Sequence, residues 1–274
     1  MTINLDLVID AKEDSVDMKA SLKTMQGVSD AIRCTAEAIL SGATPMRQHH
    51  KGKVRTSLKK SFKGSYGHIF SLDIHDDKLQ RNLNLIGKLA FIELLTYFIT
   101  ESLYIDTKKL SPKAQKALDG LGETSNEVVK QLRVSSLDNI HEISLKFNHD
   151  VKIRHRQNRD IQTVIAKFDR ITAKVLQATQ SDEKGDLTVS ITRLNIFTGN
   201  GRLKIKDHDE TVAFGFGIEY KEVDIKAKKI FSANLNHNNG LSGDKWIFLK
   251  ISVVPITLKD GKIIKYIVKG FYDD

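Results

Sequence analysis

Ile3, Leu5, Leu7 and Ile9 alternate with Asn4, Asp6 and Val8 at the start of the chain, the period of two of a half-buried strand. The period then lengthens. Met18, Leu22, Met25, Val28, Ile32, Ala36 and Ile39 recur at threes and fours and predict an amphipathic helix, with Asp17 as its cap and Ser41-Gly42 as its end. Gly27 inside that helix costs about 1 kcal/mol against alanine, which points to a close approach to a strand beneath it. Two further strands, Val54–Phe62 and His68–Ile74, flank Lys63-Gly64-Ser65-Tyr66-Gly67, a glycine-containing hairpin turn. An apolar helix follows from Leu83 to about Tyr104, with apolar residues on more than one face. Ser111-Pro112 starts a short helix that stops near Gly120 or Gly122. Ser125 to Arg133 forms another helix, and Ser136 to Leu145 a further turn or two.

From Asp150 the texture changes. Short β-branched and aromatic runs include Leu187–Leu194, Arg202–Ile205, Thr211–Phe214, Trp246–Val254 and Lys262–Val268. They are separated by Gly/Asn/Asp turns such as Thr198-Gly199-Asn200-Gly201, the pattern of a small β-barrel or β-sandwich. Asp260-Gly261 marks the turn between the last two strands. The expected fold is α+β: a helix-on-sheet domain with a helical insertion at 1–157 and a mostly β domain at 158–274.

Composition sharpens this picture in two ways. Apolar residues make up 40% of the 274 positions, enough to bury two cores. The lone cysteine, Cys34, sits in a helical run and reads as core packing; a cysteine-poor chain suits a reducing cytoplasm. Met1–Asp6 lacks the basic, apolar start of a secretory signal. The most apolar stretch, Leu83–Ile105, is interrupted by Lys88, Glu93 and Glu101, too charged for a membrane span of about 20 residues. No membrane partner is expected, and the expected location is cytoplasmic.

Catalytic motifs are missing. There is neither a phosphate-binding glycine loop nor a nucleophile elbow, and Gly215-Phe216-Gly217 reads as a strand end. Zinc would need more thiols or an HExxH motif, and adjacent His49 and His50 diverge on any regular element. His68, Asp73, His75, Asp76 and Asp77 form the densest His/carboxylate group. Asp207, Asp209 and Glu210 could gather Mg²⁺ as in nucleases but stand where a turn is expected. His141, His149 and His155 are scattered. No cofactor and no metal is implied.

The net charge of +9 favours anionic partners, and its distribution matters more than its size. Arg47, Lys51, Lys53, Arg55, Lys59, Lys60 and Lys63 occur with no acidic residue among them, and His49, His50, Phe62 and Tyr66 lie in or beside the group. Lys152, Arg154, Arg156, Arg159, Lys167 and Arg170 form a second group, offset by Asp160 and Asp169. Such clusters neutralise phosphates and release counterions, and nearby rings can stack on bases. A solvated face, an aggregation-blocking edge or a surface for an acidic protein uses the same charges.

Three short segments resemble the N-terminal part of an uncharacterised bacterial protein family: Asn4–Ile9, Met18–Leu22 leading to Gly27, and Ser61–Tyr66. The sequence around Thr198–Leu203 is similar to the turn-rich small-barrel half of such proteins. The resemblance implies a setting near prophage or antiviral defence genes and supplies no catalytic residues. The leading expectation is an accessory or sensor protein that binds DNA or RNA, or another polyanion, through the two basic groups. The alternative is a non-catalytic interaction or scaffold module that assembles with a protein encoded nearby or with copies of itself. A third reading is a metal-dependent nuclease using His68, Asp73 and His75, or Asp207 and Asp209.

Overall fold

The computed structural model describes residues 1–11, 15–45, 52–62 and 66–272. The chain is α+β and forms two compact units, Met1–Leu176 and Gln177–Asp274.

In the first unit the elements run β1 (Thr2–Asp10), α1 (Met18–Ser41), β2 (Val54–Phe62), β3 (Tyr66–Ile74), α2 (Asp77–Ile86), α3 (Lys88–Ser102), α4 (Pro112–Leu121) and α5 (Thr124–Gln131). A π-helical turn (Leu132–Ser136) leads into α6 (Leu137–Ile140), α7 (Glu142–Phe147), β4 (Asp150–Arg156), β5 (Gln162–Phe168) and α8 (Arg170–Leu176). The five strands form one antiparallel sheet in the order β2-β3-β1-β4-β5. Its alternation sorts side chains cleanly. Leu5, Leu7, Ile9, Phe70, Leu72, Ile74, Val151, Ile153 and Phe168 enter a core shared with the helices. Asn4, Asp6, Arg55, Lys60, Asp73, Lys152 and Arg154 occupy the opposite face by register.

Local signals set several boundaries. Asp17 accepts from Ala20 N at 2.8 Å and Gly42 closes α1 with φ 77°; Ser111 caps α4 over Pro112. Where the periodicity predicts one helix from Leu83 to Tyr104, the structure has two. Gly87, at φ 82°, ends α2 and starts α3, and the pair bends by 94°. Glycine adopts that backbone at no steric cost, and the bend lets α3 bury Phe91, Leu94, Leu95 and Phe98. Among the described residues, no single helix is long and apolar enough to cross a membrane.

Gly27 serves a different neighbour from the strand its position suggests. A Cβ there would lie 2.6 Å from Ile140 N and 2.7 Å from Ser136 O, so it is the helical insertion that α1 approaches closely. The division between units also falls later than 157. The segment expected to open the β domain, Gln162–Phe168, is β5 and completes the first sheet, because it pairs with β4, which in turn pairs along the central β1 from Leu5↔His155 to Asp10↔Asp150.

The second unit contains β6 (Thr179–Gln180), β7 (Gly185–Leu194), β8 (Gly201–Ile205), β9 (Thr211–Phe216), α9 (Ile225–Asn238), β10 (Leu249–Thr257) and β11 (Ile263–Phe271). Helix α9 lies in a stretch where the sequence reading places no element. Strands β7, β8 and β9 form an antiparallel meander. β9 then pairs in parallel with β11, β11 with β10, and β10 back with β7. The result is a closed five-stranded barrel, filled by Val189, Ile191, Leu203, Phe214, Ile251, Val253, Tyr266 and Phe231 from α9.

Candidate nucleic-acid interface

Members of both basic groups reach one face of the first sheet, Arg55 and Lys60 on β2 and Lys152, Arg154, Arg156 and Lys167 on β4 and β5, but those on β4 and β5 are ion-paired within the unit. Arg154 and Arg156 stand beside each other on β4 and both bind Asp6. Arg154 Nη2 is 3.0 Å from Oδ2, and Arg156 Nε and Nη2 are 2.5 and 2.9 Å from Oδ1 and Oδ2. Asp6 is fully buried beneath them. Phe62 crosses from β2 to complete the cover: both guanidinium groups lie 5.6 Å from its ring. Gly67 makes that possible, since a Cβ there would run into the ring. Lys152 binds Asp10 at 2.5 Å, and Lys167 binds Asp150 at 2.8 Å.

On the β2 side, Lys53 lies 3.5 Å from Asp76, and Arg55 Nε donates to Gly52 O. Lys59 and Lys60 are exposed at the sheet edge, and Arg159 is exposed in the β4–β5 turn. Arg47, Lys51, Lys63, His49 and His50 lie outside the described residues. Arg170 Nε and Nη2 cap α7 through Ser144 O and Leu145 O.

The His/carboxylate group does not assemble. His68 belongs to the core face of β3 and Asp73 to the opposite face. Asp73 accepts from Thr2, Ser57 and Ser71. Burial pushes its carboxyl up, but those three hydroxyls, with Lys59 nearby, more than offset this and leave its pKa lowered. Burial lowers the pKa of His68, whose Nδ1 is 3.1 Å from Ser61 Oγ. His141 is buried between Leu137 O and Thr172. Asp207 has φ 64° in the exposed β8–β9 turn. Among the described residues, no group of three or more His, Cys, Asp or Glu side chains can hold a metal ion. Cys34 is buried, and its thiol is pushed up to about 12 by that burial, with Glu37 and Asp30 adding to it.

A different basic surface stands on the barrel. Three lysines each rest over an aromatic ring: Lys204 over Trp246 at 5.8 Å, Lys206 over Phe248 at 5.7 Å, and Lys250 over Tyr272 at 5.0 Å. Register puts them on one outer surface. Val189, Ile205, Leu249 and Ile251 alternate into the barrel, so Thr188, Lys204 and Lys250 face outward on β7, β8 and β10. Lys206 N donates to Thr188 O, which sets Lys206 beside the Lys250↔Thr188 pair.

The rings are held from behind. Asn238 on α9 is buried and grips Ile247 at both ends: Oδ1 accepts from Ile247 N at 2.9 Å, and Nδ2 donates to Ile247 O at 2.9 Å. Asn234 and Ser190 add hydrogen bonds to the same carbonyl. Trp246 Nε1 donates to Leu241 O. Tyr272 Oη donates to Asp186, a bond that raises the phenol's pKa and keeps it protonated. Two alternations mark the stripe in the sequence, Arg202-x-Lys204-x-Lys206 and Trp246-x-Phe248-x-Lys250. Arg202 itself lies flat against Thr211 and is largely buried. Each half reads as an ordinary strand; only barrel closure brings them together.

The barrel's connectivity is a three-strand meander, then a helix, then two strands with the last parallel to the third. Comparison with known protein families, curated proteins and solved structures finds no match.

Proposed function

We propose that this chain is a non-catalytic accessory protein that binds nucleic acid or a similar polyanion, with the barrel making the main contact. The observation that carries the reading is the convergence of Lys204, Lys206 and Lys250 on one outer surface. Lys206 and Lys250 are exposed and Lys204 is half-buried. The closed five-stranded barrel adds an architectural argument of lesser weight, since small five-stranded barrels in other proteins bind oligonucleotides, but fold alone does not assign function. Lys59, Lys60 and Arg159 supply secondary cations on the sheet unit. In the defence setting that the sequence resemblance implies, such a protein would sense or present nucleic acid to a partner that performs the chemistry.

The test is affinity for fluorescently labelled DNA and RNA strands across salt concentration. Three phosphate contacts predict a slope of about −2 in log K against log salt for a single strand. Combining Lys204→Glu, Lys206→Glu and Lys250→Glu should abolish binding, whereas Lys59→Glu with Lys60→Glu should weaken it slightly. Negligible binding of the wild-type chain at low salt rejects the reading; the reverse ranking of the two variants moves the interface to the sheet. A second reading, self-assembly through sheet edges, is favoured by β5, an edge strand with Val164 53% exposed. Light scattering checks it, and a strict monomer would rule it out.

A further inference from the structure

Resting on the reading above, we propose that the barrel surface takes single-stranded nucleic acid in particular, with bases stacking on Trp246, Phe248 and Tyr272 while the paired lysines meet the phosphates. A surface built only for charge has no use for rings. Here every lysine of the stripe is matched to one, at 5.0 to 5.8 Å from ring centroid to ammonium. A base that stacks on such a ring takes the face the ammonium now covers, and the displaced lysine, still tethered beside the ring, meets that base's own phosphate, the combination by which proteins hold unpaired strands without reading their sequence. Duplex DNA keeps its bases inside and offers the rings nothing.

Spacing supports the same occupant. Trp246 and Phe248 stand two residues apart, about 7 Å in extended chain, far enough for each ring to take a separate base. The rings also sit in fixed places, which lowers the ordering cost of stacking. Asn238 and Asn234, both buried on α9, clamp the backbone between Trp246 and Phe248, and Asp186 holds Tyr272 by its hydroxyl. The exposed turn Asp207–Glu210 follows Lys206 and would keep the strand's path on the β7 and β10 side.

Trp246 is the chain's one tryptophan, so its fluorescence reports this surface directly. The experiment titrates the full-length protein with oligothymidylate, an abasic oligomer of equal length, and a duplex of equal length. Oligothymidylate should quench Trp246 and bind about tenfold more tightly than the abasic strand, with the duplex no better than the abasic strand. Trp246→Ala should lower the oligothymidylate affinity, read by anisotropy, about fivefold towards the abasic level. It should leave the abasic affinity and the salt slope unchanged, and Trp246→Phe should restore most of the loss. Phe248→Ala is the second variant, read by Trp246 quenching, should Trp246→Ala fail to fold. Equal binding of all three oligomers without quenching overturns the stacking proposal and leaves the charge-based reading standing. Absence of binding by any of them overturns both.

Discussion

The sheet's arginines and the barrel's lysines show two ways of placing basic residues on β-structure. Arg154 and Arg156 stand side by side, but a buried carboxylate between them takes their hydrogen bonds and Phe62 lies across their planes. This is a cation cluster turned inward, where the guanidinium fork suits bidentate pairing and stacking. On the barrel, each ammonium sits over a ring, with no ion pair to Lys204, Lys206 or Lys250 among the described residues. Clustering in the sequence is therefore a poor guide to available charge. What decides is whether the facing strand supplies a carboxylate or an aromatic ring.

This contrast breaks most sharply at Asp6. Asp6→Ala leaves two guanidinium groups packed together without their counter-charge and should cost the first unit about 3 kcal/mol. Because that unit holds α1 to α8 while Trp246 lies in the barrel, the loss should lower the urea midpoint followed by helical circular dichroism. The midpoint followed by Trp246 fluorescence should move little. If Asp6→Ala instead leaves stability unchanged and raises nucleic-acid affinity through the released arginines, the inward role assigned to them is wrong.

The matching perturbation on the other unit is Gly201→Ala. A Cβ at Gly201 would meet the Arg193 carbonyl oxygen and the edge of the Phe214 ring, so overpacking should cost the barrel about 2 kcal/mol. The tryptophan-detected midpoint should fall while the helical signal holds. Equal shifts in both signals would show that the two units unfold as one.

The smallest effect is a pH dependence confined to the first unit. Burial lowers the pKa of His68, His141 and His155; for His141 the Leu137 carbonyl and nearby Asp169 and Asp138 oppose it, and for His155 Lys88 adds to it. Each is harder to protonate when folded than in the unfolded chain, where its pKa is about 6.5. Below that value the unfolded state binds more protons, so the stability contributed above pH 6.5 is lost as pH falls towards the folded-state values. Urea melts at neutral and mildly acid pH should show the helical midpoint falling further than the tryptophan-detected one. His141→Asn should reduce that difference, and a helical midpoint flat through pH 6 would count against these burial effects.

Much of the local structure was written in the sequence. Ile3, Leu5, Leu7 and Ile9 announce β1 by period, Asp17 and Gly42 bound α1, and the β2–β3 pairing follows from two strands around a glycine-containing turn. Asp260-Gly261 marks the last hairpin, with Gly261 at φ 85°. Each depends on residues a few positions apart, so the chain states it locally. The break at Gly87 was harder to see, because glycine lies inside an otherwise unbroken apolar period and only the packing of α3 shows why the backbone turns there.

What tertiary structure alone decided is which distant segments meet. Pairing of β4 with β1 joins residues about 150 positions apart; it delivered Arg154 and Arg156 to Asp6 and, through the β4–β5 pair, drew β5 into the first unit. Closure of the barrel through β9–β11 and β10–β7 set lysines of β8 beside rings from the segment entering β10. The sequence determined many of the elements, their alternation and the sign of the overall charge, since these are properties of neighbouring residues, though not α9 or the break at Gly87. It could not determine which charges stay available to a ligand, because neutralisation is a contact at 3 Å between strands whose register is fixed only by the packed core.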